Sequence, residues 1–277
     1  MRIGLMVHGR REDAVSRAKQ AAEYLLARGV TVTAEDDAAA LLGPEVMPFS
    51  QAHGADFIVA LGGDGTLLRG AQYALRWDAA LLGVNMGRVG FLAEVEPEGL
   101  EAALDAVMTG QYRTELRPLL EVRCGQKGWY ALNDVVISRG GYSRLITIDA
   151  LVDGDSTGRY VADGLIVATP TGSTGYSLSA GGPVISPRVD CMVITPICAH
   201  TLQHRPCVVH GGANIRLRLC EEDVQRATLE VDGQTCQELQ GGMQVDVHKD
   251  ERALRLIRLR QTRFFQTVRG KLTEWTR

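Results

Sequence analysis

The rhythm of apolar and polar positions changes once along this chain, near residue 112. Before that point, short apolar runs alternate with stretches whose apolar residues recur every three or four positions. Ile3 to Val7 reads as a buried strand. Ala14, Ala18, Ala21, Ala22, Leu25 and Leu26 fall near one face of a helix over residues 12–28, and Gly29 stops it. Val30 to Thr33 predicts a second strand and Asp56 to Leu61 a third, followed by a helix from Thr66 through Leu75. Ala80 to Val84 predicts a fourth strand, and Pro97 opens a helix through Met108. Strand and helix in alternation predict a parallel sheet with helices on its faces.

Beyond residue 112 the helical period is lost. Short β-rich segments at 119–124, 130–138, 145–153, 164–169, 191–195, 214–220, 227–232 and 243–248 are separated by Gly, Asp and Pro turns. They predict an antiparallel or mixed β domain. The arginine-rich tail from Ala253 to Arg277 is expected to pack back on the first domain. The predicted division is therefore an α/β domain at 1–110, a β-rich domain at 111–252 and a tail at 253–277. There is no internal repeat.

Composition narrows the function. The 277 residues are 45% hydrophobic and 23% charged, as in a globular protein with a real core, but only 5% aromatic. Val, Leu, Ile and Ala must fill that core. A net charge of −3 without a basic stripe gives no reason to expect nucleic acid. Only Lys19, Lys127, Lys249 and Lys271 are lysines, so a cationic contact to phosphate falls to arginine or a metal. Met1-Arg2 leads straight into a strand pattern, and no apolar run reaches the roughly 18 residues of a membrane helix. A cytoplasmic protein without membrane association is expected. Cys124, Cys191, Cys198, Cys207, Cys220 and Cys236 form no C-x-x-C pair; reduced thiols are expected, with a disulfide or zinc as the alternative. His200 and His204 have the spacing of two helix-borne ligands, yet Pro196 and Pro206 bracket them and no H-E-x-x-H is present.

Four segments carry candidate chemistry. Gly62-Gly63-Asp64-Gly65-Thr66 lies between a buried strand and a helix. Its glycines let the backbone turn sharply and present N–H groups to a phosphate. Beside phosphates, a carboxylate is useful as a metal ligand or as acceptor of a proton from an attacking hydroxyl. Gly83-Val84-Asn85-Met86-Gly87-Arg88-Val89-Gly90-Phe91-Leu92 follows another strand. Two such turns at neighbouring strand ends build the crevice where open α/β sheets bind ligands. The stretch from Asp163 to Pro183 runs from a strand into a dense set of glycines and hydroxyls: Thr171, Ser173, Thr174, Ser177 and Ser179. Uncharged donors suit a sugar–phosphate ligand, and Tyr176 offers a flat surface for a base. Leu132-Asn133-Asp134 sets an amide and a carboxylate beside a strand, a pair able to grip a ribose diol or a base edge. Taken singly, the first, second and fourth also read as ordinary turns and the third as a polar surface loop.

Together these segments resemble the NAD kinase family, in order and spacing, over roughly residues 2–265. They are similar to its G-G-D-G-T turn, its N-x-G-x-x-G-F-L segment, its Asn-Glu/Asp pair and its D-G-x-x-x-x-T-P-T/S-G-S-T-A/G-Y-S-x-S-x-G-G-P signature. The resemblance implies an α/β Rossmann-like N-terminal domain of the phosphofructokinase and diacylglycerol-kinase type and an all-β, sandwich-like C-terminal domain. It implies NAD bound between them and phosphorylation of the adenosine ribose 2′-hydroxyl to give NADP. ATP or polyphosphate would be the donor, Mg²⁺ the metal, and the assembly a homodimer or homotetramer. Asp64 matches the catalytic aspartate. NAD contacts match Asp64, Gly65, Arg69, Asn133, Asp134, Arg144, Asp163, Thr174, Gly175, Tyr176, Ser177, Leu178, Ser179 and Gln234. Gly175 replaces a common alanine, Asp134 is shorter than the frequent glutamate, and Val161 stands where some members carry arginine.

Other readings are weaker. A lipid kinase shares the G-G-D-G-T turn but does not need the 163–183 signature. An NAD-dependent oxidoreductase is expected to carry G-x-G-x-x-G after the first strand, where this chain has His8-Gly9-Arg10. Ser173 follows Thr171-Gly172, so there is no G-x-S-x-G of a serine hydrolase.

Overall fold

The computed structural model describes residues 1–277 apart from 10, 88–89, 142–143, 202, 222–225, 261–263 and 275–277, and only the backbone over 271–274. The chain forms two compact units, residues 1–116 with 254–277 and residues 117–253.

In the first unit, β1 (Arg2–Val7), β2 (Thr31–Ala34), β3 (Met47–Pro48), β4 (Phe57–Gly62) and β5 (Ala80–Asn85) are parallel and lie in the order β5-β4-β1-β2-β3. Four helices accompany them: α1 (Glu12–Leu26), α2 (Asp36–Leu42), α3 (Asp64–Arg76) and α4 (Leu100–Met108). Every residue of β5 is buried. That is the expected composition of a parallel strand covered on both faces. α1 buries Ala14, Ala18, Ala21, Ala22 and Leu25 in one core with Ile3, Leu5, Val7, Val59 and Leu61. Small side chains on the helix leave room for the branched ones on the strands. α2 and β3 are not legible in the sequence, because seven and two residues are too short to show a period. α3 starts at Asp64, two residues before the predicted start, since Gly63 is still extended (φ −92°, ψ −172°).

The second unit takes in most of β6 (Arg113–Cys124), then β7 (Lys127–Ala131), β8 (Asp134–Ser138), β9 (Ile146–Val152), β10 (Asp155–Ala162), β11 (Gly164–Ala168), β12 (Cys191–Ile197), β13 (Cys207–His210), β14 (Ile215–Leu219), β15 (Ala227–Val231), β16 (Gln234–Leu239) and the first part of β17 (Gln244–Arg258). One short helix, α5 (Tyr176–Ser179), interrupts them. One sheet runs β10-β9-β14-β17, with β6 beside β17 and β7; the other runs β13-β12-β11-β8-β15-β16. Ile148, Ile215 and Val245 from the first sheet share a core with Val135, Leu165, Ile194 and Leu229 from the second. The alternation of side chains along each strand makes this a sandwich. β8 turns Val135 and Ile137 into the core and so sends Asp134, Val136 and Ser138 to the opposite face. On that face Val136, Ile166, Ala168 and Ile197 form a small apolar patch against Ala180.

The stretch 130–138, read as one strand, is two, broken at Leu132-Asn133. β10, β13 and β16, absent from the predicted set, stand at sheet ends and are largely exposed and polar. An edge strand needs no continuous apolar run. β17 is longer than predicted: Ile215 to Arg218 of β14 pair with its start, while Arg255 and Leu256 pair in parallel with Ala80 and Leu81 of β5. The backbone then continues into α6 (Phe264–Glu274).

Close packing in the first unit gives a direct test. A Cβ on Gly83 would lie 2.5 Å from Leu67 Cδ1 and 2.9 Å from the Ala93 Cα. Gly83→Ala is therefore expected to lower unfolding stability by about 1–3 kcal/mol. Urea denaturation measures this, and an unchanged midpoint would contradict the packing.

Candidate active site

The carboxyl ends of β4 and β5 carry the two glycine turns. Gly62 is confined because a Cβ there would lie 2.2 Å from Thr66 Oγ1, and Thr66 is itself buried. Gly63 and Gly65 are exposed, with open space where a side chain would be. The Thr66 N–H donates to the Gly63 carbonyl at 3.0 Å, and the N–H groups of Asp64 and Gly65 lead the helix, where an anion is favoured. Asp64 stands in that turn, half-buried. Its Oδ2 accepts the Phe91 N–H at 2.9 Å and its Oδ1 the Leu92 N–H at 3.3 Å. The second glycine segment thus orients the carboxylate, and Gly90 is required there: a Cβ would fall 2.0 Å from Asp64 Oδ1. Arg88 and Val89 of the same segment lie outside the described residues.

That segment is anchored from far along the chain. Arg258, 6% exposed, donates from Nη1 to the Leu92 carbonyl at 3.1 Å and pairs with Glu94 and Glu115. Glu94 Oε1 in turn accepts the N–H groups of Leu259 and Arg260. Asn85, 2% exposed, donates to the Gly87 carbonyl at 3.2 Å. Arg69, a predicted ligand contact, is occupied within the fold: its guanidinium donates to the Val7 carbonyl at 3.0 Å and to Glu35 at 3.1 Å.

In the second unit, three segments converge. β15 and β16 are joined by Asp232-Gly233, both with positive φ (48° and 74°), the two-residue turn that favours a tight hairpin. The Asp232 carboxylate accepts N–H groups from Leu132 (2.8 Å), Asn133 (2.7 Å) and Asp134 (3.2 Å). Thr169 N–H donates to the Asn133 carbonyl at 2.8 Å, and Gly172 approaches so closely that a Cβ would lie 2.1 Å from that oxygen. At Gly175 a Cβ would be 3.8 Å from Asn133 Nδ2 and 3.9 Å from Asp134 Oδ2, so alanine there meets only ordinary contacts with this pair. Asn133, Asp134 and the 175–179 turn therefore form one cluster, with Gln234 exposed at the start of the adjoining β16.

Two polar groups of the cluster have no hydrogen-bond donor among the described residues. Asn133 Oδ1 is buried without a hydrogen bond, and no described residue donates to the Asp134 carboxylate, although Asp134 is 6% exposed. Burial, and then the charges of Asp232 and Glu230, push the Asp134 carboxyl up to about 7. Tyr176 is exposed beside it; its hydroxyl is pushed up by partial burial first and then by Glu230, with Asp163 and Asp134 contributing. Asp163 is at the other end of β11, paired with Arg139 at 2.9 Å. Since Gly164 faces Ser138 and Ala168 faces Asp134, about 13 Å of strand separates the two ends. Arg144 is exposed just before β9.

The hydroxyl-rich stretch needs correcting as a source of ligand donors. Ser173 Oγ bonds to the Pro170 carbonyl and the Ile185 N–H, Ser177 Oγ to Thr195 Oγ1, and Thr174 Oγ1 to the Thr171 carbonyl. Thr171 Oγ1 accepts from Arg117. All four hydroxyl residues are buried, whereas Ser179 is exposed. Asp232, Arg139 and Arg258 were not singled out in the sequence; an Asp-Gly pair at 232–233 between two β-rich segments is the one local signal that could have located a hairpin there. Among the described residues no three His, Cys, Asp or Glu side chains come together to hold a metal. Mg²⁺ is commonly held by one or two carboxylates, waters and substrate phosphates, a set that Asp64 is able to join. His204 packs against the Tyr160 ring, and all six cysteines are free. No helix among the described residues is long and apolar enough to cross a membrane.

An anion-ready turn with an oriented carboxylate on the parallel sheet of one unit, and an amide–carboxyl pair in the β-sandwich unit, define a nucleotide-handling phosphotransferase class. Residues 3–112 match the family described as ATP-NAD kinase N-terminal domain, and residues 132–259 the ATP-NAD kinase C-terminal domain. An NAD kinase of Heliobacterium modesticaldum is 39% identical over 98% of both chains, and one of Magnetococcus marinus is 42% identical over 88% of this chain and 84% of its own. A crystal structure of an NAD kinase from Archaeoglobus fulgidus in complex with ATP is similar over 99% of both chains (TM-score 0.77, 28% identity). Yeast NADH kinase complexed with NADH shares the fold (TM-score 0.87, 24% identity, 99% of this chain and 87% of that one). The chain belongs to the NAD kinase family, and its activity is phosphorylation of NAD.

Two outcomes follow from this geometry. Gly90→Ala should displace Asp64 and cut turnover by about 100-fold while the far-ultraviolet circular dichroism is unchanged. Undiminished turnover would contradict the assigned contact. Asp134 has a raised carboxyl in the folded chain, so its contribution to stability is present below the ordinary carboxylate range and is lost as pH rises toward about 7. Asp134→Asn should therefore match the parent near pH 4 and exceed it increasingly up to neutral pH, by on the order of a few kcal/mol. Thermal melts across that range measure the difference; a pH-independent gap would refute it.

Proposed function

We propose that ATP donates its γ-phosphoryl group to the adenosine ribose 2′-hydroxyl of NAD, with Asp64 as the general base. The observation that carries this reading is the Asp64 carboxylate, oriented by the Phe91 and Leu92 amides at the start of α3. The hydroxyl oxygen attacks phosphorus, its proton passes to Asp64, and the bond from phosphorus to the departing ADP oxygen breaks. Backbone N–H groups of the Gly63–Gly65 turn are suited to the phosphoryl oxygens, where donors act on developing charge. Mg²⁺ arriving on the donor phosphates would supply further charge neutralisation. ATP rather than polyphosphate is supported by the ATP complex of the Archaeoglobus relative.

For NAD, we assign the gripping groups to Asn133, Asp134, Gly175, Tyr176, Leu178, Ser179 and Gln234, with Asp163 and Arg144 serving a more distant part of an extended dinucleotide. Asn133 Oδ1, buried without a hydrogen bond among the described residues, and the buried Asp134 carboxyl support this assignment. Thr174 and Ser177 shape the turn through their internal bonds. Arg69 supports the turn's base through Val7 and Glu35.

Coupled measurement of NADP from NAD with ATP or polyphosphate tests the donor and acceptor. Asp64→Asn is expected to lower kcat by roughly 10²–10⁴ while leaving the NAD dissociation constant within a few fold. Near-normal turnover in that variant would remove the base assignment. Lipid phosphorylation without NADP formation would favour the lipid-kinase reading.

A further inference from the structure

We propose that Asp232 is a positioning residue for NAD recognition: it holds the Asn133–Asp134 backbone in place and sets a second carboxylate beside the Asp134 side chain. The inference rests on the assignment of Asn133 and Asp134 to NAD.

Asp232 sits in a hairpin turn at φ 48°, a conformation that aspartate tolerates better than most residues. The turn aims its carboxylate across the sheet at three consecutive N–H groups, those of Leu132, Asn133 and Asp134, at 2.7–3.2 Å. In return, the Asp232 N–H donates to the Asp134 carbonyl at 3.0 Å. The segment at 132–133 lies between β7 and β8, outside any ladder of its own, so this carboxylate takes up donors that would otherwise be unsatisfied. A charged acceptor of several N–H groups is strongly bound. The turn also leads directly into Gln234, another proposed NAD contact.

The same arrangement sorts charge between two neighbouring carboxyl groups. Burial pushes the Asp232 carboxyl up and its three N–H donors act against that rise, whereas Asp134 has no such donor among the described residues and is pushed up to about 7. When like charges share a site, the better-solvated group ionises and the other holds its proton. The groups around Asp134 reinforce this: Glu230 on β15 and the Asp232 turn are acidic, and Tyr176 on α5 is neutral. Asp163 at the start of β11 is paired with Arg139, and Arg117 is engaged with Thr171. A protonated Asp134 presents an O–H donor to the nucleotide where an ionised one presents only acceptors.

The experiment is steady-state NADP formation by the full-length chain, with KM for NAD and for ATP measured from pH 5.5 to 8.5 in the parent, Asp232→Asn, Asp232→Ala and Asp134→Asn. The parent's KM for NAD should change across neutral pH and Asp134→Asn should flatten that profile. Asp232→Ala is expected to raise KM for NAD about tenfold, with kcat and KM for ATP nearly unchanged. Asp232→Asn keeps one acceptor oxygen but loses the charge, and should move the midpoint of the profile down by about one pH unit or more. A folded Asp232→Ala with the parent's KM for NAD overturns the positioning role. Where that variant does not fold, Asp232→Asn decides, and a parent-like midpoint overturns the inference. Absence of NADP formation by the parent itself would instead overturn the proposed function.

Discussion

In each unit, a carboxylate that gathers backbone N–H groups from a remote segment organises the candidate residues. Asp64 does this for Phe91 and Leu92, and Asp232 for Leu132, Asn133 and Asp134. In both cases the segment being held is a turn or strand break, whose N–H groups have no sheet or helix partner to fall back on. An ionised acceptor makes such bonds stronger than a neutral one does. The chemistry of the two carboxylates differs because their remaining surroundings differ. Asp64 is half-buried beside exposed glycines and keeps part of its surface open to solvent. Asp232 is enclosed and acts only through its neighbours.

The hydroxyl-rich stretch after β11 has the same architectural character. Thr169, Ser173, Thr174 and Ser177 direct their oxygens inward, each closing a turn or tying the segment to Leu132, Ile185 or Thr195. Glycine is required where backbone meets backbone, most acutely at Gly172 against the Asn133 carbonyl. The result is a rigid support that exposes Tyr176 and Ser179 while keeping the polar groups beneath them satisfied. Density of hydroxyls in a sequence thus reported a self-bonded turn, with the solvent-facing groups a minority of it.

Much of this was legible in the sequence, for local reasons. Alternating apolar runs and 3.6-residue periodicity located β1, β4, β5 and α1, because each buries a continuous face. The Gly-rich turn around Asp64 was legible because its residues are neighbours in the chain. Edge strands such as β10 and β16 were not, since only one side of each is covered. Partners separated by long stretches left no local signature: Arg258 reaches Leu92 across 166 residues and Asp232 reaches Asn133 across 99. Arg69 illustrates the converse. The family resemblance implied a ligand contact for it, while its bonds to Glu35 and the Val7 carbonyl become visible only in the folded chain.

β17 gives this architecture a temporal order. Its residues Arg255 and Leu256 complete the sheet edge at Ala80 and Leu81, although some 170 residues of chain lie between. During synthesis, β5 emerges from the ribosome long before the strand that covers it. A nascent chain therefore has to protect an open parallel edge while the whole β unit is translated and folds. The anchor at Leu92, supplied by Arg258, arrives equally late. A chain cut short before Arg258 would leave the loop behind Asp64 without its buried guanidinium, so the anchoring of that loop waits on a segment made after the whole β unit.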